Sequence, residues 1–377
     1  MNDSLRIAHI VDSSRMWGVE NYILNLATAL NRRQVETWVL CRDPLVQETY
    51  RRNGINVKPL QLAGYFDLSG MLSLIRFCKD HRIDVIHTHL GLDSWIGAAA
   101  AKACNIACVM SVHFLEPDWQ SAGQLTRAFW LPTQKLKNSL ISKFLPITPQ
   151  VADRLVDREG VDPKKLKVVC PGIPAGIASP ERRISLRRSL GVQLEDCVVL
   201  SLSRLEPEKN ISVMIKSAAV LTAENQRLHF WVAGDGSQRK SLEQHIEQLG
   251  LGDRFKLLGY WPDARELLSA ADIFVLPAIA EPFGMAAVEA MLASLPVVGF
   301  GNAGLSVIVE NECTGLLVSN GDEGALTNCI RSLANDPTVR RRFGHAGYLR
   351  AVRDFSDEMM AEKVLAAYQN VIRTCAR

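Results

Sequence analysis

The sequence predicts an α/β protein made of two Rossmann-like, doubly wound domains facing across a cleft. Three observations predict it. Short apolar runs alternate with helical stretches through the first half, the same alternation returns in the second half, and a Pro/Gly-rich segment lies between them. A chain of 377 residues with 47% hydrophobic content is more than one core's worth and fits two domains.

In the first half, strands are expected over 5–11, 36–41, 84–89 and 107–113, and helices over 21–30, 68–81 and 95–103. Strands alternating with helices argue for a parallel sheet, whose strands are covered on both faces. In the second half, strands are expected over 198–201, 228–233, 255–259, 273–276 and 296–299, mostly separated by helical stretches. Between the halves, residues 170–180 (CPGIPAGIASP) hold five Pro or Gly and make the best linker. The domain boundaries follow as 1–175 and 176–357.

A net charge of +3 is far from the excess of a dedicated nucleic-acid binder, so no nucleic-acid partner is expected. The nine cysteines are scattered without a Cys-x2-Cys pair, which points to a reducing compartment. Cys104 and Cys108, four apart in an alanine-rich stretch, read as small buried thiols on one helical turn. No apolar run is long enough to span a bilayer, and the first residues enter a strand with no secretory apolar core. The expectation is a cytoplasmic protein, soluble or peripheral on the inner face of the plasma membrane.

The most informative segment is 281–289 (EPFGMAAVE). Glu281 follows the apolar run 272–277, so it lies in the loop at a strand's carboxyl end, where open α/β sheets bind ligands. Pro282 suits the start of a helix, and Gly284 lets backbone N–H groups approach an anion at the helix N-terminus. Glu289 lies about 8 Å further along that helix, roughly the distance from a diphosphate to the far side of a ribose. It interrupts an apolar helix, where an ionised side chain should be paired or ligand-bound. The alternative is a solvated loop carboxylate and an exposed helix residue.

The second segment, 201–210 (SLSRLEPEKN), follows the strand expected over 198–201. Arg204 offers a planar fork for phosphate oxygens and Lys209 a compact charge, as a diphosphate leaving group needs. The alternative is a surface loop in which these cations pair with Glu206 and Glu208. No Asp-x-Asp occurs, so no metal-bridging carboxylate pair is expected and charge neutralisation falls to Arg204, Lys209 and helix amides.

Weaker features complete the pattern. Gly18 follows the first strand and would let backbone approach a phosphate, or simply turn the chain. His113 ends a strand ahead of Phe114, Glu116 and Asp118, and suits donation to a sugar hydroxyl or a structural role. His87 and His89 lack an evident third ligand, so His87 reads as structural and His89 as acceptor-side. Gly234 and Gly236 shape a wall beside the nucleotide, and Tyr260 with Trp261 borders the base or merely packs. Residues 127–145 mix cations with bulky apolar side chains, the make-up of an interfacial helix or of an ordinary packed one.

Together these motifs resemble the retaining nucleotide-sugar glycosyltransferases of the GT-B fold, in the family called GT4. The resemblance rests on Gly18-Val-Glu, the strand ends at His87-Thr-His89 and His113, Ser-Arg204-x4-Lys209, Ala-Gly234-Asp-Gly236 and Glu281-x7-Glu289. It implies that Arg204 and Lys209 bind the diphosphate of a UDP- or GDP-sugar, Glu281 the transferred sugar, Glu289 the ribose, and Phe283 and Gly284 the donor through backbone N–H groups. It implies that the last helix, 358–377, returns to complete the first domain on the acceptor side. It implies no cofactor beyond the donor, and a glycan or lipid-linked acceptor in cell-envelope polysaccharide or lipopolysaccharide synthesis. Trp17 departs from the family's usual glycine. A nucleotide-sugar epimerase and a non-catalytic nucleotide-sugar-binding subunit are the alternatives.

Overall fold

The computed structural model describes residues 4–12, 16, 18–65, 67–114, 124–176, 180–302 and 304–375, with the side chains of 124–131 and 180 outside that description. The chain forms two compact units, Met1–Pro174 with Asp357–Arg377, and Ala175–Ser356.

The first unit has strands β1 (Arg6–Val11), β2 (Glu36–Cys41), β3 (Asn56–Pro59), β4 (Val85–Thr88), β5 (Ala107–Val112) and β6 (Lys143–Pro146). They form an all-parallel sheet ordered β3-β2-β1-β4-β5-β6. Its helices are α1 (Gly18–Arg32), α2 (Pro44–Arg52), α3 (Leu68–Asp80), α4 (Gly91–Cys104), α5 (Gln124–Leu140) and α6 (Pro149–Glu159). The second unit repeats the plan with β7 (Cys197–Leu202), β8 (Leu228–Ala233), β9 (Phe255–Gly259), β10 (Ile273–Leu276), β11 (Val297–Phe300) and β12 (Gly315–Val318). Its sheet is ordered β12-β11-β10-β7-β8-β9, again all parallel. Its helices are α7 (Pro180–Ser189), α8 (Ile211–Glu224), α9 (Arg239–Gln248), α10 (Ala264–Ala270), α11 (Met285–Leu292), α12 (Leu305–Ile308), α13 (Glu323–Asn335) and α14 (Pro337–Asp354). No helix among the described residues is long and apolar enough to cross a membrane.

The strands unforeseen from sequence, β3, β6 and β12, all lie at sheet edges. An edge strand is covered less completely and need not be a continuous apolar run; β3 reads NVKP and is mostly exposed. The reading of 127–145 as one interfacial helix needs correction. The helix stops at Leu140, and Lys143–Pro146 joins the sheet beside β5. Phe144 and Leu145 are core residues, Lys137 is buried, and it is Leu136 that is exposed. Residues 127–131 of that segment have side chains outside the described ones. Cys104 closes α4 whereas Cys108 lies in β5, so the two thiols do not share a helical turn.

Helix α15 (Asp357–Cys375) belongs to the first unit. It buries Met360, Ala361, Val364, Ala367, Tyr368 and Val371, one face at helical spacing, against a core that includes Ile23, Leu26, Ala27 and Leu30 of α1. Arg32 pairs with Asp357 and Glu358, and Arg33 with Glu358, at the start of that helix.

In each sheet the chain order reverses once. In the second unit it reverses between β7 and β10, whose following loops leave in opposite directions and open a crevice at the carboxyl ends of the strands. In the first unit the reversal lies between β1 and β4.

Arg187 on α7 pins the second unit's sheet from below. Fully buried, it donates to the carbonyls of Ala270, Gln193, Leu194 and Asp196 and pairs with Asp272 at 2.5 Å. Asp272 in turn accepts from Val198 N at 2.8 Å, joining α7, β7 and the entry to β10. Arg187→Met should lower the unfolding free energy of this unit by about 3 kcal/mol or more, because it strands buried acceptors together with half of the carboxylate. Urea denaturation checks it; a loss under about 1 kcal/mol contradicts it.

Candidate functional site

At the second unit's reversal point, the loop after β7 carries Arg204 and Lys209, and the loop after β10 carries Glu281. The two loops meet through an ion pair: Lys209 Nζ lies 2.7 Å from Glu281 Oε2, with both side chains largely buried at 14% and 13% exposure. A backbone hydrogen bond from Ile279 N to Glu208 O, 3.1 Å, ties the same loops. Arg204 pairs with Glu208 at 2.8 Å on the exposed side. The expected alternative, in which Glu206 and Glu208 take both cations, is therefore half right. Glu208 takes Arg204, but Glu206 accepts from Ser237 N and Oγ at 3.1 and 2.6 Å, and Lys209 reaches across to Glu281.

Proline sets this geometry locally. Pro207 opens a single 3-10 turn that ends at Lys209, and Asn210 adopts a left-handed conformation (φ 54°) from which α8 begins.

Phe283 is buried and Gly284 has φ +107°, a conformation that side chains rarely adopt. A Cβ there would find Leu276, Glu281 and Ile308 no closer than 3.4 Å, so backbone angle rather than space requires glycine. Helix α11 then runs from Met285 with Glu289 in its second turn. Burial pushes the Glu289 carboxyl up to about 7, while Arg265 pulls the other way. Arg265 is committed to Asp263 at 2.9 and 3.0 Å, and the Glu289 carboxylate has no hydrogen bond or ion pair among the described residues. Gly304, not singled out from sequence, lets the next loop pass under this one. A Cβ on it would lie 2.3 Å from Glu281 O, and its N–H donates to that carbonyl at 3.1 Å.

Gly234 and Gly236 have an internal reason to be glycine. A Cβ on Gly234 (φ +140°) would lie 1.9 Å from Ser203 O, and one on Gly236 2.5 Å from Leu205 O. Their loop is zipped to the Arg204 loop by Ser203 N to Ala233 O, Leu205 N to Asp235 O and Gln238 N to Leu205 O. They support the Arg204 loop from behind. Tyr260 is exposed, and Trp261 Nε1 donates to Glu266 Oε2 at 3.3 Å.

In the first unit, Gly18 is exposed at the start of α1, and a Cβ on it would meet nothing within 4 Å. No packing among the described residues demands glycine at that position. Trp17, Glu116 and Asp118 lie outside the described residues. His113 is buried at the end of β5, where its Nε2 faces His89 Nδ1 at 3.2 Å and its ring meets Tyr22 edge-on. Burial pushes its pKa down to about 3.

His87 and His89 have the third imidazole that sequence reading lacked. His9 on β1 is in register with His87 on β4, and one ring nitrogen of each of His9, His87 and His89 falls within 4.8 Å of the others. Five of their six ring nitrogens already face partners. His9 Nδ1 faces His89 Nε2 at 3.1 Å, His89 Nδ1 faces His113, and His87 lies between Tyr368 OH at 2.5 Å and Ser111 Oγ at 2.9 Å. A cation would have to break those contacts, so the group fits a hydrogen-bond network better than a metal centre.

The family model described as "Glycosyl transferases group 1" matches residues 182–350, and "Glycosyltransferase Family 4" matches residues 17–176. The D-inositol 3-phosphate glycosyltransferase of Kribbella flavida is 29% identical over 78% of this chain and 72% of that protein. The UDP-Gal:alpha-D-GlcNAc-diphosphoundecaprenol alpha-1,3-galactosyltransferase of Escherichia coli is 25% identical over 90% of each. Among solved structures, Anabaena Alr3699/HepE in complex with UDP-glucose superposes with a TM-score of 0.83 at 23% identity, covering 97% of this chain and 100% of that one.

The Glu289 carboxyl gives a pH test of this geometry. Its folded pKa, about 7, stands above the ordinary 4.5, so the native state holds the proton where the unfolded chain releases it. Stability from this group is full below about 4.5 and is lost as pH rises through 7. Glu289→Gln, which cannot ionise, should match the parent near pH 4.5 and exceed it by about 2–3 kcal/mol at pH 8 without nucleotide. Equal urea midpoints at pH 8 would contradict the buried carboxyl.

Proposed function

The chain belongs to the glycosyl transferases group 1 family with the GT-B architecture, and from that premise we propose a metal-independent, retaining transfer from a UDP- or GDP-sugar to a hydroxyl of a glycan or lipid-linked acceptor. The observation that carries this reading is the Lys209–Glu281 pair at the crevice of the second unit's sheet. A cation suited to phosphate and a carboxylate suited to sugar hydroxyls stand side by side there, which supports the reading.

In this reading the donor diphosphate takes Lys209 and Arg204, whose fixed charges meet the negative charge that grows as the sugar C1–O bond breaks. Backbone N–H groups of Phe283 and Gly284 face the donor at the start of α11. Glu281 accepts hydrogen bonds from hydroxyls of the transferred sugar. Glu289 accepts those of the ribose, which supply the hydrogen-bond partners that its carboxylate lacks among the described residues. The acceptor oxygen bonds to C1 on the face that the diphosphate leaves, and its proton passes to the departing phosphate oxygen. Gly18 and His113 serve from the first unit, Gly18 by leaving backbone room and His113 by hydrogen bonding to a hydroxyl.

The relatives narrow the substrate class. The Escherichia coli protein is named for UDP-Gal and a diphosphoundecaprenol-linked sugar, and the Anabaena structure holds UDP-glucose. The UDP in both names favours UDP over GDP, and the Escherichia coli name supports a lipid-linked acceptor of envelope glycan synthesis, whereas the Kribbella flavida protein is named for D-inositol 3-phosphate.

Thermal shift against UDP, GDP and their sugars identifies the donor, since a ligand of the folded state raises apparent stability. With that donor, Lys209→Ala should lose about 2–4 kcal/mol of transition-state stabilisation, roughly 30- to 1000-fold in transfer rate. An undiminished rate in a folded variant would remove Lys209 from the mechanism.

A further inference from the structure

His9, His89 and His113 form a chain of imidazoles across the first unit's sheet, from β1 past the end of β4 to the end of β5. His9 Nδ1 stands 3.1 Å from His89 Nε2, and His89 Nδ1 stands 3.2 Å from His113 Nε2. All three rings are buried. Burial holds His9 and His113 at about 3 and His89 well below the ordinary value, so at neutral pH each ring carries a single N–H.

One proton per ring makes the chain directional. Each N–H must fill its neighbour's bare nitrogen, so fixing the tautomer of one ring fixes the other two. In one sense, His9 donates from Nδ1, His89 donates from Nδ1, and His113 keeps its proton on Nδ1. In the other, His113 donates from Nε2, His89 from Nε2, and His9 keeps its proton on Nε2. His9 Nε2 decides between them, because it is buried with no hydrogen-bond partner among the described residues. The second sense would leave an orphaned N–H there, the rarer defect in folded proteins, whereas the first leaves only a bare nitrogen. His113 Nδ1 has no partner among the described residues, its bond to His89 being through Nε2.

We propose that His9 and His89 are positioning residues that lock His113 as its Nδ1–H tautomer, so that it presents a hydrogen-bond donor rather than an acceptor. What His113 donates to, an oxygen of a sugar or acceptor hydroxyl, rests on the transferase reading. The tautomer itself is a property of the free protein. His87 stands outside the chain, held by Tyr368 and Ser111.

The test is nitrogen NMR of the full chain labelled with 15N-histidine, without nucleotide, the His113 signals being identified by their loss in His113→Gln. The expected result is His113 protonated at Nδ1 and bare at Nε2, favoured about tenfold or more over the other tautomer. His89→Phe cuts the chain, and His9→Leu removes the donor that orients it; in each, the preference should fall toward a mixture. A parent His113 protonated at Nε2 overturns the proposal, and that spectrum depends on no variant folding. A folded His89→Phe protein whose His113 keeps the Nδ1–H form overturns it equally. Because the readout needs neither donor nor acceptor, a failed transfer assay leaves it standing, and its failure leaves the transferase reading untouched.

Discussion

Two loops that depart from adjacent parallel strands toward opposite faces of a sheet diverge unless something holds them. In the second unit that hold is the Lys209–Glu281 ion pair, 2.7 Å long and largely buried, backed by the Ile279 to Glu208 backbone bond. A largely buried ion pair is weak support for stability on its own, since removing two charges from water opposes their attraction. Its value lies in preorganisation. Both groups are already largely desolvated and held together in the loops past β7 and β10, so the proposed donor would meet them in place. The glycines serve the same end: Gly304 lets one loop pass beneath Glu281, and Gly234 and Gly236 brace the Arg204 loop.

The two units differ in their polar chemistry. In the second unit the groups are charged and paired, apart from Glu289, which burial keeps protonated to about pH 7. In the first unit they are neutral imidazoles, and the polar cluster extends through Tyr22, Ser111 and Tyr368. Tyr368 comes from α15, so the last helix closes a hydrogen bond as well as an apolar face. Ion pairs in one unit and neutral imidazoles in the other thus stand on the same sheet plan.

Much of this was legible in the sequence because it is written locally. Central parallel strands are apolar runs, and Arg204, Lys209, Glu281 and Gly284 sit in the loops just past them. What the sequence hid depends on distant register. His9 is a lone histidine in an apolar run, and only the pairing of β1 with β4 sets it opposite His87. Lys209 has acidic neighbours at hand, yet its partner lies 72 residues away. In 127–145, composition gave no sign that the chain turns near Ser142 to add a strand, because the signal is a backbone bond to Cys108.

The most direct test is nucleotide affinity in Glu281→Gln, measured by calorimetry with UDP and GDP beside the corresponding nucleotide sugar. If Lys209 is held for phosphate by a carboxylate that serves the sugar, neutralising the carboxylate frees the cation and removes a repelling charge. The bare nucleotide diphosphate should then bind more tightly, while sugar transfer falls. A variant that binds the diphosphate no better than the parent, or transfers sugar undiminished, would contradict the division of labour between Lys209 and Glu281.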